Sequence, residues 1–575
     1  VVFCSVMVFS FFLSLSCVFI FSEAQNPWAW DAALPRSTTL YDAVKARFPV
    51  SLHSAQPQAG GLGSCPRPPQ PVPLPKPPPA AILELINKVA NDLDVLFEKA
   101  NATGGVGVLV YGDEVLLTHT YGTKQLGEKS PVDGSTMFRI GSISKVFTDL
   151  MLHRLHEDGK VGIDDPVTKF VPNYRPKWPP GKNPTKRGTT LRDLGSHMAA
   201  LMRYCPCNFG VSCNITLETA LERINEWTLL FEPGTAVMYS NTGFSVLGRL
   251  LEKVEGKPWE ESLQDLAKIL GMESTSCSPD LNDLAFGYSA NGQQVPLYDL
   301  GISNPAGGVF SSGDDMARFL SFLLRDGVSR DDNSGQPLDS ATVRSWLKTR
   351  VLTNPSNVPA PSLYYTEWGV PWQNLRVNLD SVAPGIPPMK NFSRFFIISK
   401  DGSVPGYNSQ LALQPDLKLG LFASMTTGGS REVPSFFSDV LMTLAFQAAP
   451  LMYSYLEGVQ PSKLPPSPQD YLGEYRGRVT GGTASVSISN DPSGQFGGKV
   501  LYVMSNNLGW PQPQPIEWLE GDTFQMVPEP SDVCFSIEGG ILWVLKFKRS
   551  SKGEVSQVEV QGMTMYPVVL QRTGY

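Results

Sequence analysis

Histidine is scarce in this chain, and its basic residues are not clustered. Five histidines occur in 575 residues, and none of them forms the H-E-x-x-H pair of zinc peptidases. The sequence also lacks a G-x-S-x-G nucleophile elbow, a P-loop and a glycine-rich dinucleotide fingerprint between a strand and a helix. With a net charge of −7, it has no basic face for nucleic acid. We therefore expect no metal, no organic cofactor and no nucleic-acid partner.

The composition is that of an ordinary globular protein, with 42% hydrophobic and 18% charged residues. A chain of 575 residues is too long for one core, so two or three domains are expected. Residues 1–22 are almost continuously apolar and are followed by small residues up to Ala24. This pattern predicts a signal peptide over residues 1–24. The alternative is an uncleaved signal anchor, because 22 apolar residues just span a bilayer.

In either case the remaining chain is expected to be secreted or luminal, with an N-terminal membrane anchor in the second case. Sequons and cysteines agree with this compartment, and removal of mass by a glycosidase would check it. Three N-glycosylation sequons begin at Asn101, Asn214 and Asn391. Beyond the leader there are six cysteines, namely Cys65, Cys205, Cys207, Cys213, Cys277 and Cys534. We expect a disulfide from Cys213 to Cys205 or Cys207, whereas zinc is disfavoured because no histidine lies nearby.

Composition shifts divide the chain into segments. Residues 25–79 form a proline-rich extension that ends in the polyproline-type spacer Pro66–Pro79. Residues 80–455 mix helical and strand patterns and are predicted to be an α/β domain. Residues 465–575 contain six short alternating runs separated by turn residues, namely GEYRGRV, ASVSISN, KVLYVMS, TFQMVP, ILWVLKFKR and VSQVEVQG. This pattern predicts a small antiparallel β-domain.

Several elements of the central domain can be predicted individually. The stretch AAILELINKVANDLDVLFEKA has helical spacing, and GVGVLVYGDEVLLTHTYG predicts a hairpin that turns at Gly112-Asp113. Strands are expected at RFFIISK, NSQLALQP and LGLFASM, followed by a helix at Pro434–Ala448.

Three short motifs carry candidate chemistry. Ser142 and Lys145 are three residues apart, so on a helix their side chains meet, and a lysine can activate a serine hydroxyl when its ammonium is destabilised. Tyr239 lies two residues before Asn241, at the tip of a loop before a helix. Lys400 ends the predicted strand RFFIISK and is followed by Asp401, Gly402 and Ser403. Each motif alone is weak, because short patterns of this kind recur by chance.

The order S-x-x-K, Y-x-N, K-x-G resembles the serine beta-lactamase and penicillin-binding-protein superfamily, and Y-x-N makes it similar to the class C enzymes. The flanking segments FRIGSISKVFT, FEPGTAVMYSNTGFSVLG and NPAGGVFSSGDDMARFLSFLL resemble it as well. The resemblance covers the chain from about Cys65 to Ala448. It implies a beta-lactamase/transpeptidase-like fold, with an antiparallel sheet flanked by helices and a mostly helical subdomain.

The resemblance also implies a role for each motif residue. Ser142 would be the acylated nucleophile, Lys145 and Tyr239 the base pair, and Asn241 the contact to the substrate amide. Lys400 would help to hold a substrate carboxylate. Gly402 would let substrate lie against the strand, and the backbone N–H groups of Ser142 and Ser403 would form the oxyanion hole. The implied activity is that of a serine hydrolase that forms an acyl-enzyme on an ester, amide or peptide.

Two departures from the family pattern keep a second hypothesis open. Asp401 stands where the bacterial pattern has Thr, and Ala199-Ala200 replace Ser-Gly in the segment that usually reads S-H-x-S-G-L. His197, in the same segment, is expected to be structural. A catalytically silent binding or scaffold protein with this fold is the alternative. Substrate identity and oligomeric state are not predicted.

Overall fold

The structure, a computed structural model, describes most of the chain from Pro69 onward. The described residues are 69–182, 187–207, 213–289, 291–328, 337–348, 351–352, 364–378, 394–427, 434–460, 464–479, 482–490, 500–505, 510–526, 543–562 and 567–574. The predicted leader, Cys65, Cys534 and the sequon at Asn391 lie outside them, as does most of the predicted extension. Leader cleavage and glycosylation therefore stay predictions.

An N-terminal helix and hairpin begin the central domain as predicted. Helix α1 (Ala80–Lys99) buries one apolar face, and β1 (Ala102–Tyr111) pairs with β2 (Glu114–Gly122). Helix and strand approach closely because β1 contains glycines. A Cβ atom on Gly107 would lie 2.4 Å from a methyl group of Leu93.

The main sheet has eight antiparallel strands in the order β2-β1-β10-β9-β8-β7-β6-β5. A separate ribbon pairs β3 with β4. Beyond the hairpin, the strands are β3 (Met137–Arg139), β4 (Phe310–Ser312), β5 (Val351–Leu352), β6 (Tyr364–Trp368), β7 (Gln373–Asn378), β8 (Arg394–Val404), β9 (Tyr407–Gln414) and β10 (Leu419–Thr427).

Helices cover both faces of this sheet. They are α2 (Ser144–Glu157), α3 (Leu191–Gly195), α4 (Leu217–Asn225), α5 (Asn241–Glu255), α6 (Trp259–Leu270), α7 (Asn304–Gly307), α8 (Gly313–Leu324), α9 (Ser340–Trp346), α10 (Pro434–Met442) and α11 (Ala449–Val459). Side chains of β1 alternate between two cores: Val106 and Val108 face the core of α2, α5 and α8, and Leu109 faces that of α1, α10 and α11. The predicted antiparallel sheet flanked by helices is therefore confirmed.

The C-terminal region is a closed antiparallel barrel of eight strands. They are β11 (Gly473–Val479), β12 (Gly482–Ser489), β13 (Leu501–Ser505), β14 (Trp510–Glu520), β15 (Thr523–Met526), β16 (Val544–Arg549), β17 (Val555–Gln561) and β18 (Val568–Gly574). Sequence patterns predicted six of them. They missed β14 because three alternating prolines, from Pro511 to Pro515, interrupt it, and proline normally argues against a strand with two neighbours. They also missed β18.

Two predicted boundaries in the central domain are wrong. Strand β8 does not end at Lys400 but continues to Val404, because residues 400–404 keep pairing with β9. The helix predicted at Pro434–Ala448 continues through a π-helical turn, Thr443–Ala448, into α11. Among the described residues, the stretch Ser435–Val459 has the length and mean hydropathy, 1.2, of a membrane span, but 78% of its most apolar window is buried inside the protein.

The predicted disulfide of Cys213 is confirmed. Cys207 and Cys213 form a disulfide, with their Cα atoms 5.7 Å apart. Cys205 and Cys277 are free thiols.

Candidate active site

Ser142 lies in a tight turn immediately before α2. The turn, Gly141–Ile143, is a single 3-10 turn, and its first residue has φ 53°, which glycine adopts without strain. Ser144 holds the turn in place: its Oγ donates to Gly141 O at 2.6 Å and accepts from Val309 N–H at 3.0 Å. Ser142 itself remains partly exposed, so a substrate can reach its hydroxyl.

Lys145 lies one helical turn after the serine and is fully buried. Its Nζ donates to Ser142 Oγ at 3.0 Å and to Ala306 O at 2.6 Å. The same atom lies 4.9 Å from the ring centre of Tyr239 and 5.5 Å from that of Phe244. The amine is thus fixed against the serine hydroxyl by a helix and by the backbone of α7.

Tyr239 reaches the same hydroxyl from a distant part of the chain. Its OH donates to Ser142 Oγ at 2.7 Å, across 97 sequence positions. Ser240 positions it, because its Oγ caps α5 by accepting from Gly243 N–H at 3.0 Å. The Ser240 N–H donates to Nδ1 of His197, also at 3.0 Å. Ser142 Oγ therefore has two proton-transfer partners within hydrogen-bond reach, and either can accept its proton once deprotonated.

His197 supports the tyrosine ring. The two rings stack with their centres 4.3 Å apart. Burial, reinforced by the positive charges of Lys145, Lys400 and Arg203, holds the pKa of His197 well below its usual value, so the imidazole is neutral. Its Nδ1 accepts a backbone proton, which places the ring proton on Nε2, an atom shielded from solvent without a partner among the described residues. The contact fits a residue that holds Tyr239 in place.

Strand β8 brings the third motif to the nucleophile turn. A Cβ atom on Gly402 would lie 2.0 Å from Ile140 O and 3.1 Å from Ser142 N, so only glycine fits there. On the opposite side, a Cβ atom on Gly141 would lie 2.8 Å from Ser403 N. The backbones of Ser142 and Ser403 are therefore close neighbours, as an oxyanion hole built from them requires.

Lys400 is near the tyrosine but is bonded within its own strand. Its buried Nζ lies 5.4 Å from the ring centre of Tyr239. The ammonium donates to Asp401 Oδ1 at 2.8 Å and to Asp401 O at 2.9 Å. Burial lowers the pKa of Lys400, and the adjacent Asp401 carboxylate counteracts this effect.

Asn241 occupies the first turn of α5, beside Tyr239. Its backbone N–H donates to Arg203 O at 2.7 Å. Its side-chain Oδ1 is shielded from solvent and has no partner among the residues that the structure describes. A buried amide oxygen left without a hydrogen bond costs free energy, so a donor placed against it would be stabilising. The structure thus joins Ser142, Lys145 and Tyr239 by hydrogen bonds and brings Gly402 and Ser403 against the nucleophile turn. Lys400 lies near the Tyr239 ring, and Asn241 lies two positions after that tyrosine, at the start of α5.

Three further residues around the cleft were not predicted. The Arg203 guanidinium lies 4.8 Å from the ring centre of Tyr239, and Trp368 meets that ring edge-on. Asp149, one turn after Lys145, is fully buried, and its carboxylate oxygens have no partner among the described residues. Burial raises the pKa of Asp149 well above its usual value despite the nearby Lys145 charge. None of the three belongs to a recognisable short motif.

The described residues contain one group of side chains with the spacing of a metal site. The sulfurs of Cys205, Cys207 and Cys213 lie within 4.8 Å of one another. Two of them are paired in the disulfide, which removes them as thiolate ligands. The cluster therefore does not suit a metal in this pairing state.

A protein-family model for beta-lactamases matches residues 93–435, which is more than half of the chain. The chain belongs to the beta-lactamase family. The matched region contains every residue of the three motifs.

Curated relatives have similar sequences. Beta-lactamase-like protein 4 of Dictyostelium discoideum is 31% identical over 404 residues, which cover 65% of each chain. A human protein, beta-lactamase-like 1, is 30% identical over 373 residues, covering 62% of this chain and 67% of the relative. The D-alanyl-D-alanine-carboxypeptidase/endopeptidase AmpH of Escherichia coli is 25% identical over 339 residues, with coverages of 58% and 82%. The chain thus spans slightly less than two thirds of the length of the Dictyostelium relative.

Solved structures share the fold at lower identity. A class C beta-lactamase superposes with a TM-score of 0.51 at 20% identity, covering 64% of this chain and 98% of that one. An octameric penicillin-binding-protein homologue from Pyrococcus abyssi gives a TM-score of 0.50 at 20% identity, with coverages of 84% and 99%. At these identities the similarity establishes the fold alone, and it confirms the predicted beta-lactamase/transpeptidase-like fold.

Proposed function

We propose that this beta-lactamase-family chain is a serine hydrolase that forms a covalent acyl-enzyme through Ser142 on an ester, amide or peptide. One observation carries the proposal: Lys145 Nζ and Tyr239 OH both lie within 3.0 Å of Ser142 Oγ. A helix accounts for the first contact, but only the fold accounts for the second. A serine hydroxyl needs such a base to become a nucleophile.

The reaction follows from these positions. Ser142 Oγ attacks the acyl carbon and gives its proton to whichever of Lys145 and Tyr239 is unprotonated. The carbonyl oxygen becomes an oxyanion, for which the backbone N–H groups of Ser142 and Ser403 are the candidate donors. The tetrahedral intermediate collapses, and the departing alcohol or amine takes the proton. Water then attacks the acyl-enzyme ester, which releases the acid and restores the Ser142 hydroxyl.

Binding of the substrate backbone is assigned to Asn241 and to the edge of β8 at Gly402 and Ser403. The Asn241 amide oxygen has no partner among the described residues, which supports a contact to a substrate N–H. The close approach of Gly402 to the nucleophile turn supports a substrate lying along the strand edge.

A fluorophosphonate probe tests the proposal, because it phosphonylates an activated serine irrespective of substrate specificity. The protein should gain one adduct, and peptide mass spectrometry should place the adduct on Ser142. Ser142→Ala should abolish it, whereas Ser130→Ala, which alters an exposed serine, should not. Absence of labelling, or labelling at another serine, would favour the silent binding or scaffold alternative.

A further inference from the structure

The ion pair of Lys400 and Asp401 sets the charge of the β8 wall of the cleft. Lys400 is completely buried, whereas Asp401 leaves 24% of its side chain exposed. An ammonium group has three N–H donors. Two of them point to Asp401, one to the carboxylate and one to the backbone carbonyl.

Asp401 remains ionised in this position. Burial would raise the pKa of Asp401, but the Lys400 charge and the hydrogen bond from Lys400 lower it below its usual value. The pair therefore has no net charge at neutral pH. Only the carboxylate is partly exposed, so an approaching ligand meets the negative member first.

The pair lies directly beside the reacting centre. Gly402, the next residue, packs against Ser142 N, and Lys400 Nζ lies 5.4 Å from the ring of Tyr239. A substrate carboxylate on this wall would have to displace Asp401 from Lys400 while remaining next to the displaced charge. Like charges brought together at a binding site without compensation select against that ligand.

The opposite wall is different. Arg203 lies over the Tyr239 ring, and its backbone carbonyl accepts from the Asn241 N–H. Its positive charge also acts on Lys400, whose pKa it lowers. Met202 and Tyr204, its neighbours in sequence, are exposed by 41% and 45%. This loop offers apolar surface and one guanidinium. Because that guanidinium is unchanged when Asp401 is replaced, a change in charge selectivity on replacing Asp401 reports on β8.

Given the proposed acyl-enzyme function, on which this step rests, we propose that Asp401 selects substrates without a carboxylate on the β8 side of the scissile bond. By holding Lys400 within the strand, Asp401 removes the cation that would otherwise receive such a carboxylate. The substrate class is therefore a neutral ester or amide.

A matched pair of esters measures this selectivity. The first is a phenyl ester whose leaving phenol bears a meta-carboxylate, and the second is the methyl ester of that carboxylate. We expect the wild type to prefer the neutral ester. Asp401→Asn removes the charge at constant shape. This variant and Asp401→Thr should each raise kcat/KM for the carboxylate ester, relative to kcat/KM for the neutral ester, by about 10- to 100-fold. Asp113→Asn, in the β1–β2 turn and separated from β8 by two strands, should leave the ratio unchanged.

A binding measurement separates this inference from the proposed function. In a Ser142→Ala background no acylation occurs, and calorimetry gives the affinities of both esters directly. Adding Asp401→Thr should raise the affinity for the carboxylate ester, relative to that for the neutral ester, by about 10- to 100-fold as well. An unchanged ratio, or failure of the Asp401→Thr protein to bind the carboxylate ester, would overturn the inference. A shifted ratio without probe labelling of Ser142 would leave the inference standing and reject only the proposed chemistry.

Discussion

The two walls of the cleft are built in different ways. On one wall, Ser142, Lys145 and Tyr239 contact each other directly, and each contact is between side chains. On the other wall, β8 meets the nucleophile turn through backbone atoms near Gly402, while Lys400 is bonded within its own strand. The first wall retains the S-x-x-K and Y-x-N motifs and departs from the family pattern only at Ala199-Ala200, which follow His197 in sequence. The second wall departs from it within the third motif, at Asp401.

This difference indicates that bond-breaking chemistry and substrate charge can change separately. Replacing a residue that meets Ser142 Oγ removes proton transfer for every substrate, because all substrates share that step. Replacing Asp401 alters only what the β8 wall attracts or repels. Four further predictions test whether the two walls are as independent as their contacts suggest.

Lys145→Ala is expected to have the largest effect. Groups that act as one unit in acylation are strongly non-additive, so loss of this lysine should lower the labelling rate at Ser142 by on the order of 10⁴-fold, almost as much as Ser142→Ala. Stopped-time labelling with the fluorophosphonate probe measures this rate. Lys145→Met fills most of the same volume and should give the same loss, which separates chemistry from packing.

The matched control for this lysine is Lys169→Ala. Lys169 forms an exposed ion pair with Asp165 and should have little effect on labelling, because surface pairs contribute little to stability. If the labelling rate of Lys145→Ala were within tenfold of the wild-type rate, another group would have to activate Ser142.

Tyr239→Phe should have the next largest effect. It removes only the hydroxyl that donates to Ser142 Oγ at 2.7 Å, while the ring keeps its stacking on His197. General acid–base groups typically contribute 10²- to 10⁴-fold, and we expect a decrease in kcat/KM of about 10³-fold. Tyr204→Phe removes an exposed hydroxyl from the same side of the cleft and should change little. Equal decreases in the two variants would reject a special role for Tyr239.

Gly402→Ala tests the β8 wall by geometry alone. The added methyl group would lie 2.0 Å from Ile140 O, so the strand must move away from Ser142. A displacement of about 1 Å at a reacting centre can cost about 10²-fold in rate, and a decrease of that size in kcat/KM is expected for neutral and anionic esters alike. Gly458→Ala, where nothing lies within 4 Å of the new Cβ atom, is the control. If only the anionic ester were affected, the strand would be acting on charge instead of position.

Sequence alone predicted more of the first wall than of the second. The Ser142–Lys145 contact follows from helical spacing, and the arrival of Tyr239 followed from the family resemblance. The pairing of Lys400 with Asp401 was not predicted, because an ammonium on a flexible stem can point in several directions from the same backbone. Arg203 was missed because long-range packing, without a local pattern, places it beside Tyr239. Asp149 lies four residues after Lys145 on α2, but its complete burial depends on the packing of other elements and not on its spacing.

The same limits apply to the fold. The hairpin at Gly112-Asp113 and six barrel strands have clear alternating patterns, and these were predicted. Strand β14 contains three prolines and was missed, since its pairing with β13 and β15 comes from closing the barrel and opposes local propensity. Strand β8 extends past Lys400 because β9 continues to pair with it, and that partner is not visible in the local sequence.

The smallest expected effect is on the pH dependence of the unfolding free energy. The two walls differ in the pH range in which a residue of each, His197 or Asp401, contributes to it. His197, on the first wall, has a pKa well below its usual value in the folded protein because it is buried among cations. In an unfolded chain the pKa of a histidine is about 6.5. Below that pH the unfolded chain binds a proton that the folded chain does not, so stability falls as pH falls. Asp401, on the second wall, has a lowered pKa in the folded state, and its contribution is lost only as pH falls below about 4.

His197→Asn should therefore make the unfolding free energy depend less on pH near about pH 6, and should leave its dependence on pH below about 4 unchanged. Asn retains an acceptor for the Ser240 N–H and tolerates φ 61°. Compared with the wild type, the variant should lose about 1 kcal/mol less unfolding free energy between about pH 6.5 and about pH 5.5. Urea titrations at each pH measure this difference. An unaltered profile in His197→Asn would mean that the imidazole can be protonated in place, and that the cations around Tyr239 do not act on it as their positions imply.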